Sequence, residues 1–206
     1  MLSDASTSNG LGFFSPEAGI YFSMPLDGAL AATDGATSKP IINKLEQLAS
    51  FLGFLAVAYD GARSLQKTRA VRIFTDNTAS EGATNRLRST SRAMASYTRC
   101  FASHAASLDI LPHCIHVPGK SHVQADALSR GEVPPEFLSP GWRRISIPTA
   151  TLTELLTRRD PWNVDVVFLC AGATPDDPPT ELRAPHRTAA LGKSRLGASL
   201  EAAARL

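Results

Sequence analysis

The spacing of hydrophobic and polar positions divides the first third of the chain into strands and one long helix. A strand edge at Met1 and Leu2, a loop of small residues and, after two phenylalanines, a second strand over residues 19–24 predict an antiparallel hairpin. Residues 43–62 carry apolar side chains at intervals of three and four, which predicts a long buried helix with Asn43 as its N-cap. This segment therefore predicts a small sheet that packs on one core helix.

The middle of the chain alternates between strand and helix patterns. Residues 71–75 alternate and are rich in β-branched side chains, so they predict a strand that ends at Asp76. Residues 91–107 predict a helix, residues 110–117 a further strand, and a last short helix begins near Val123. A meander followed by alternating helices and strands predicts an α/β fold around one mixed sheet.

Glycine and proline mark the irregular parts of the chain. Residues 27–39 lack periodicity, which leaves open a short third strand or a loop. Prolines after residue 131 interrupt any helix and place the end of the main domain there. The predicted organisation is a domain over 1–131, an annex or linker over 132–170 with a helix at 151–158 and a strand at 164–169, and a flexible tail over 171–206 with a short helix at 197–206.

Composition excludes several classes of protein without naming a function. The net charge of +2 is too small to indicate a nucleic-acid binder by itself. The three cysteines are isolated, so neither a disulfide framework nor a zinc site is indicated. The longest apolar run, residues 51–59, is too short to span a bilayer, and the N-terminus lacks a signal-peptide pattern. We therefore expect a soluble intracellular protein, in the cytoplasm or nucleus, without a membrane partner.

Four acidic residues stand in otherwise apolar or small-residue surroundings: Asp4, Glu46, Asp76 and Asp126. Glu46 lies at the margin of the buried stripe of its helix, where a carboxylate needs a partner. Asp76 follows a strand, at the sheet edge where α/β folds place their ligands. Taken singly, each has an ordinary alternative, such as a turn residue, or an N-cap in the case of Asp76 with Asn77.

These motifs together resemble the ribonuclease H domain of retroelement polyproteins, of the Gypsy-like and DIRS types. The resemblance spans residues 1–131 and rests on Asp-Ala-Ser at 4–6, a helix with Leu-Glu at 45–46, and Thr-Asp-Asn at 75–77. Its most specific part is the ending at 116–130, His-Val-Pro-Gly-Lys-Ser-His-Val-Gln-Ala-Asp-Ala-Leu-Ser-Arg. The resemblance implies a mixed five-stranded sheet flanked by helices, followed here by an irregular C-terminal extension.

The resemblance also implies hydrolysis of the RNA strand of an RNA–DNA hybrid with two Mg²⁺ ions, or Mn²⁺ in their place. The four carboxylates would hold the ions, and His116, ten residues before the last Asp, would assist proton transfer or product release. A reverse-transcriptase domain of the same element is the expected protein partner. We expect six further residues to approach the substrate: Ser6, Asn9, Asn77, Arg86, Arg88 and Lys120.

Two alternatives stay open from the sequence. One is a decayed or domesticated module that keeps the fold without catalysis, favoured by the short segment before Asp4, whose strand could fray and loosen one ligand. The other is a nuclease or integrase of the same superfamily that prefers duplex DNA. His122 suggests a zinc ligand only together with His116, and we reject that interpretation.

Overall fold

A computed structural model describes residues 1–6, 10–26, 38–60, 70–158, 161, 164–170 and 180–184. These residues form five α-helices and one mixed sheet of eight strands. The predicted α/β class is confirmed, and the architecture is consistent with an RNase H-like fold.

The five strands that the resemblance implies form one side of the sheet, from the edge strand β5 to β3. Strands β1, β2 and β3 form an antiparallel meander, while β4 and β5 run parallel to β1. The full order is β5-β4-β1-β2-β3-β6-β7-β8. The bounds are β1 Leu2–Ser6, β2 Gly10–Ser15, β3 Ile20–Pro25, β4 Ala70–Thr75, β5 Leu111–His116, β6 Arg143–Ser146, β7 Val166–Cys170 and β8 Thr180–Ala184.

Five helices flank the sheet. The parallel strand pairs β1–β4 and β4–β5 require crossover connections, and the helices supply them. A three-residue 3₁₀ turn, Gly119–Ser121, precedes the fourth helix, and another, Pro135–Leu138, follows it. The helices are α1 Ser38–Asp60, α2 Thr78–Arg86, α3 Arg92–Leu108, α4 Val123–Ser129 and α5 Thr149–Thr157.

Helix α1 is the core helix that the spacing predicts, although it begins earlier. Its stripe of leucines is at most 1% exposed and packs on the sheet. The predicted N-cap role of Asn43 is wrong, because α1 already begins at Ser38 and Asn43 lies inside it. The Asn43 side chain instead accepts a hydrogen bond from Asn77 Nδ2 at 2.8 Å.

A longer apolar segment is present in α1 than residues 51–59. By length and composition alone, Ile41–Tyr59 could cross a membrane, but 78% of its most apolar window is buried inside the protein. Packing in the core explains the apolar composition of this helix, and the burial is consistent with a soluble protein.

Strand β2 occupies a segment that we expected to belong largely to a loop of small residues. Gly10–Ser15 is buried throughout and pairs with β1 on one side and β3 on the other. The absence of a side chain at Gly12 has a structural reason. A Cβ at this position would overlap the backbone of Leu128 and Ser129 in α4. A glycine in this strand therefore lets α4 approach the sheet closely.

The two faces of the sheet bury different clusters. Phe13 and Phe22 stack at 4.8 Å on the α1 face and belong to the main core. Phe14 and Tyr21 point to the opposite face, where they pack with α4 residues, Phe137 and Trp142. Trp142 meets the rings of Phe14 and Phe137 edge-on in this second cluster.

The extension after residue 131 is regular in its described part rather than irregular. Ile145, Leu155 and Phe168 are fully buried and join the same core as α1. Strand β6 pairs with the edge strand β3, and Thr180–Ala184, inside the predicted flexible tail, pairs with β7. The 27–37 and 197–206 segments lie outside the described residues, so the expectations for them remain predictions.

Candidate metal centre

Asp4 is held in the middle of the sheet rather than on a fraying end. Its strand β1 lies between β2 and β4, and the Met1 amine donates a hydrogen bond to the Arg72 carbonyl at 2.8 Å. The side chain is 6% exposed and lies opposite Gly12, beneath α4. Ser129 Oγ donates to Asp4 Oδ2 at 2.7 Å, so α4 contacts the carboxylate directly.

Glu46 enters the site from α1 and is 3% exposed. Its Oε1 accepts a hydrogen bond from the Ala5 backbone N–H at 3.0 Å. Its Oε2 is buried and has no hydrogen-bond partner among the described residues. Burial, and next the charge of Asp4, raise the pKa of Glu46 to about 9. A buried carboxylate with one unused oxygen is costly unless a further group completes its contacts.

Asp76 closes the group from the end of β4, at the carboxyl edge of the sheet where we predicted it. It is exposed, and one oxygen from each of Asp4, Glu46 and Asp76 lies within 4.8 Å of the other two. Gly119 passes close by, since a Cβ there would lie 2.9 Å from Asp76 Oδ2. The predicted convergence of these three carboxylates is therefore present.

Mutual repulsion and burial define the electrostatics of the group. Burial is the main cause that raises the pKa of Asp4, the Ser129 hydrogen bond lowers it, and the charge of Asp76 raises it again. Within the described part of the chain, no lysine or arginine forms an ion pair with any of the three carboxylates. A group of this kind could hold a metal ion.

Asp126 is not part of the three-carboxylate group. It lies on α4 and its Oδ1 accepts two hydrogen bonds from Arg130, one turn later, at 2.9 and 3.0 Å. Both side chains are about half exposed, at 47% for Asp126 and 53% for Arg130. Its charge still contributes to the raised pKa of Asp4, so Asp126 is near the group without joining it.

His116 lies at the same edge of the sheet. It is the last residue of β5, is exposed, and its Nε2 lies 3.2 Å from the backbone oxygen of Asp76. Because a carbonyl oxygen only accepts, the ring nitrogen donates in this contact. Among the residues that the structure describes, the exposed ring of His116 thus bonds to the backbone of Asp76 and to no side chain.

Asn77 serves as the N-cap of α2, which was the ordinary alternative for this residue. Its Oδ1 accepts hydrogen bonds from the backbone N–H groups of Ala79 and Ser80, and its Nδ2 donates to Asn43. The side chain therefore fixes the turn after Asp76. Of the other expected substrate residues in β1 and its loop, Ser6 is half-buried at the end of β1, and Asn9 lies outside the described residues.

Arg86 and Arg88 line a cavity of about 360 Å³ between α2 and the start of α3. Its wall combines the two arginines and polar side chains with apolar ones; the other lining residues are Asn43, Ala79, Ala83, Ser89, Thr90, Ser91 and Met94. Lys120 is exposed in the 3₁₀ turn next to Gly119. The predicted cations are thus split between a cavity and a turn beside Asp76.

Three residues of the site carried little signal in the sequence. Gly12 and Gly119 act through the close approach of other groups; Gly119 stands within the motif ending, but its contact with Asp76 is not evident from that pattern. His122, which we considered only as an unlikely zinc ligand, is 1% exposed and bonds to the Ser3 carbonyl through Nε2 at 2.7 Å. The one indication in the sequence was that His122 lies within the 116–130 motif, which also contains Asp126.

Comparison with family models, with curated proteins and with solved structures found no match for this chain. The likeness to retroelement ribonuclease H therefore rests on the motif residues in the sequence. The function that follows rests on the convergence of Asp4, Glu46 and Asp76 at one edge of the sheet.

Proposed function

We propose that this protein is a ribonuclease H-type endonuclease that cleaves the RNA strand of RNA–DNA hybrids with the help of divalent cations. The observation that carries the proposal is the meeting of three carboxylates from β1, α1 and β4 within 4.8 Å. The motif ending at 116–130 supports the same assignment by resemblance. Cleavage would leave 3′-hydroxyl and 5′-phosphate ends, as in the family that it resembles.

The donor set fits a hard divalent cation. All three candidate ligands are carboxylates, and magnesium prefers oxygen ligands over nitrogen or sulfur. The unpartnered Oε2 of Glu46 is a buried acceptor that such an ion would satisfy. The raised pKa values of Glu46 and Asp4 have the same origin, since like charges approach one another in a buried place. We therefore assign Mg²⁺, with Mn²⁺ as a substitute, to Asp4, Glu46 and Asp76.

Asp126 would join this set by leaving Arg130. An exposed ion pair one helical turn apart is screened by solvent and contributes little to stability, so its loss is a small cost. When bound, two such ions stabilise the charge on the attacking and leaving oxygens of a phosphodiester displacement. The fourth carboxylate is the natural additional ligand because its charge already acts on Asp4.

The chain's own residues would orient the reaction. The Ala5 N–H and the Ser129 hydroxyl fix one oxygen each of Glu46 and Asp4, which limits the rotation of both carboxylates. His116 is exposed and its ring contacts the backbone oxygen of Asp76, a place from which an imidazole can transfer a proton to or from a reacting group. His116→Ala should lower turnover, and unchanged turnover would remove this role.

Substrate binding would use the basic cavity beside the carboxylates. Arg86 and Arg88 line it together with hydroxyl side chains, a chemistry that suits a backbone phosphate. The Asn43–Asn77 hydrogen bond connects the wall of this cavity to the residue after Asp76. Arginines in this cavity would contact the sugar–phosphate backbone, and such contacts recognise the A-like shape of a hybrid rather than its sequence.

The cellular setting follows the same proposal. A reverse-transcriptase domain of the same element would be the partner that supplies hybrids, and the protein would act in the cytoplasm or nucleus.

A weaker candidate function is a non-catalytic module, and the Asp126–Arg130 pairing is the observation that favours it.

A cleavage assay tests the proposal. An end-labelled RNA–DNA hybrid, single-stranded RNA and duplex DNA would be incubated with the protein and Mg²⁺. We expect cleavage of the hybrid RNA only, and its loss in Asp76→Asn. The matched control is Asp109→Asn, an exposed aspartate with left-handed backbone that asparagine tolerates. Equal cleavage by wild type and Asp76→Asn would reject the site, and preference for duplex DNA would indicate a different nuclease.

A further inference from the structure

The ring of His122 is buried between the first strand and the fourth helix. It is 1% exposed, and its Nε2 lies 2.7 Å from the carbonyl oxygen of Ser3, the residue before Asp4. A carbonyl oxygen only accepts, so the hydrogen is on Nε2 and the ring donates it. His122 therefore holds β1 by its backbone immediately next to a candidate ligand.

The backbone of the same residue begins α4. The carbonyl oxygen of His122 accepts the hydrogen bond of Asp126 N–H at 3.0 Å, which is a first bond of that helix. At the other end of α4, Ser129 Oγ donates to Asp4 Oδ2 at 2.7 Å. Helix α4 is thus bonded to β1 at both of its ends, through His122 to the Ser3 backbone and through Ser129 to the Asp4 carboxylate.

Ordinary core packing does not account for a histidine at this position. Its Nδ1 is buried and has no hydrogen-bond partner among the described residues. Burial of such an atom costs free energy that an apolar side chain of similar size would not cost. An apolar side chain could fill the same space, but it could not donate the hydrogen bond that His122 Nε2 gives to the Ser3 carbonyl.

We infer that His122 is a positioning residue that sets the distance between Asp4 on β1 and Asp126 on α4, and so the affinity of the site for divalent cations. The inference rests on the proposed function, since it concerns the same carboxylates. His122 is not itself assigned as a ligand: its Nε2 is occupied by Ser3, and the group of converging ligand atoms consists of three carboxylates. Removal of residues that orient metal ligands without binding the metal themselves changes metal affinity by about 10–100-fold.

Three variants test the inference. His122→Leu fills the space but cannot donate to Ser3, whereas His122→Gln keeps a donor at similar reach. His113→Leu, at an exposed position of β5, controls for loss of a histidine as such. The Mn²⁺ dissociation constant and the Mg²⁺ concentration for half-maximal cleavage would be measured for each, together with kcat at saturating metal.

We expect His122→Leu to need about 10–100-fold more metal while kcat at saturation stays close to wild type. His122→Gln and His113→Leu should resemble wild type. Equal metal affinity in His122→Leu and wild type would overturn the inference, and so would equal impairment in the Leu and Gln variants, which indicates packing alone. If His122→Leu does not fold, Ser129→Ala breaks the other bond between α4 and β1 and should weaken metal binding in the same way.

A separate readout distinguishes failure of the inference from failure of the proposed function. The Ala5 amide bonds to Glu46 Oε1, so its hydrogen exchange reports on β1 next to the carboxylates without any metal. It should exchange faster in His122→Leu than in wild type and His122→Gln. No metal binding by wild type would reject the proposed function, whereas unchanged Ala5 exchange in His122→Leu would reject the role of His122.

Discussion

Asp4 on β1 and Glu46 on α1 present carboxylate oxygens within 4.8 Å of each other in the interior of the protein. Both side chains are at most 6% exposed, and neither forms an ion pair with a lysine or arginine of the described residues. Such an arrangement destabilises the protein when both groups are ionised, because two like charges are then brought together away from water. A divalent cation bound between the two carboxylates would offset this cost.

Glu46→Gln should stabilise the metal-free protein in a pH-dependent way. In wild type the unfolded glutamate ionises near pH 4.5 and the folded one near pH 9, so stability is fully present below pH 4.5 and is lost progressively as pH rises to about 9. Glutamine carries no charge and escapes this loss. We expect similar unfolding free energies at pH 4 and a gain of up to about 5 kcal/mol for the variant at pH 8, since about 1.4 kcal/mol is lost per pH unit between the two pKa values.

Urea unfolding at both pH values, with EDTA present, checks this expectation. Glu136→Gln, an exposed residue of the second 3₁₀ turn, is the control and should show no such gain. A variant that is less stable than wild type at pH 8 would mean that Glu46 is held by contacts stronger than its repulsion from Asp4.

Gly12→Ala should displace α4 from the sheet. The added Cβ would overlap the backbone of Leu128 and Ser129, which cannot move as a flexible side chain can. Overpacking of this kind costs about 1–3 kcal/mol, and the Ser129–Asp4 hydrogen bond would be lost with it. Unfolding midpoints and Mn²⁺ affinity should both fall.

Gly82→Ala is the matched control for this prediction. Gly82 lies inside α2, where the new methyl would meet only the flexible end of Arg86, so the variant should be neutral or more stable by up to about 1 kcal/mol. Equal stability of the two variants would show that α4 is free to move away from β2.

The arginines of the cavity should contribute to hybrid binding through salt-dependent contacts. Arg86→Ala and Arg88→Ala are each expected to weaken binding and to reduce the slope of log affinity against log salt by roughly 1. Fluorescence anisotropy with a labelled hybrid in EDTA measures the slopes. Arg144→Ala, exposed on β6 beyond β3, should leave the slope unchanged, and an equal effect of all three variants would argue against a specific phosphate site.

Leu155→Ala should destabilise the whole protein, although it lies in the C-terminal extension. Leu155 is fully buried in the main core, and its carbonyl accepts a hydrogen bond from Tyr97 Oη at 2.7 Å. We expect a loss of about 2–5 kcal/mol, compared with a negligible effect of Leu138→Ala at a position that is 70% exposed. A small loss on denaturant unfolding would mean that the extension folds apart from the main core.

The parts of the fold with strong local patterns were predictable from sequence. The apolar spacing of α1, the alternation in β4 and the four acidic residues in their motifs all lie within short windows. The pairing of β6 with β3 was not predictable, since an edge strand accepts a partner from anywhere in the chain. Strand β2 was missed because its glycines favour loops in general. Gly10 is explained by the close approach of the β3 backbone at Met24, and Gly12 by α4, which is more than 100 residues away along the chain.

The candidate site divides in the same way. Asp4, Glu46 and Asp76 were predicted as a group, and they converge. The engagement of Asp126 with Arg130 is a matter of rotamer and charge on α4, which the motif does not specify. The contact of His122 with Ser3 joins distant parts of the chain, so no window of sequence reveals it.

Calorimetric titration of the protein with Mn²⁺ tests the central claim most directly, with Asp76→Asn as the paired variant. The account predicts saturable binding to wild type, with proton release in proportion to the raised pKa of Glu46 and therefore higher affinity at pH 8 than at pH 6. Asp76→Asn should bind much more weakly. Absence of saturable binding to wild type, or equal binding to the variant, would contradict the claim that these carboxylates form a cation site.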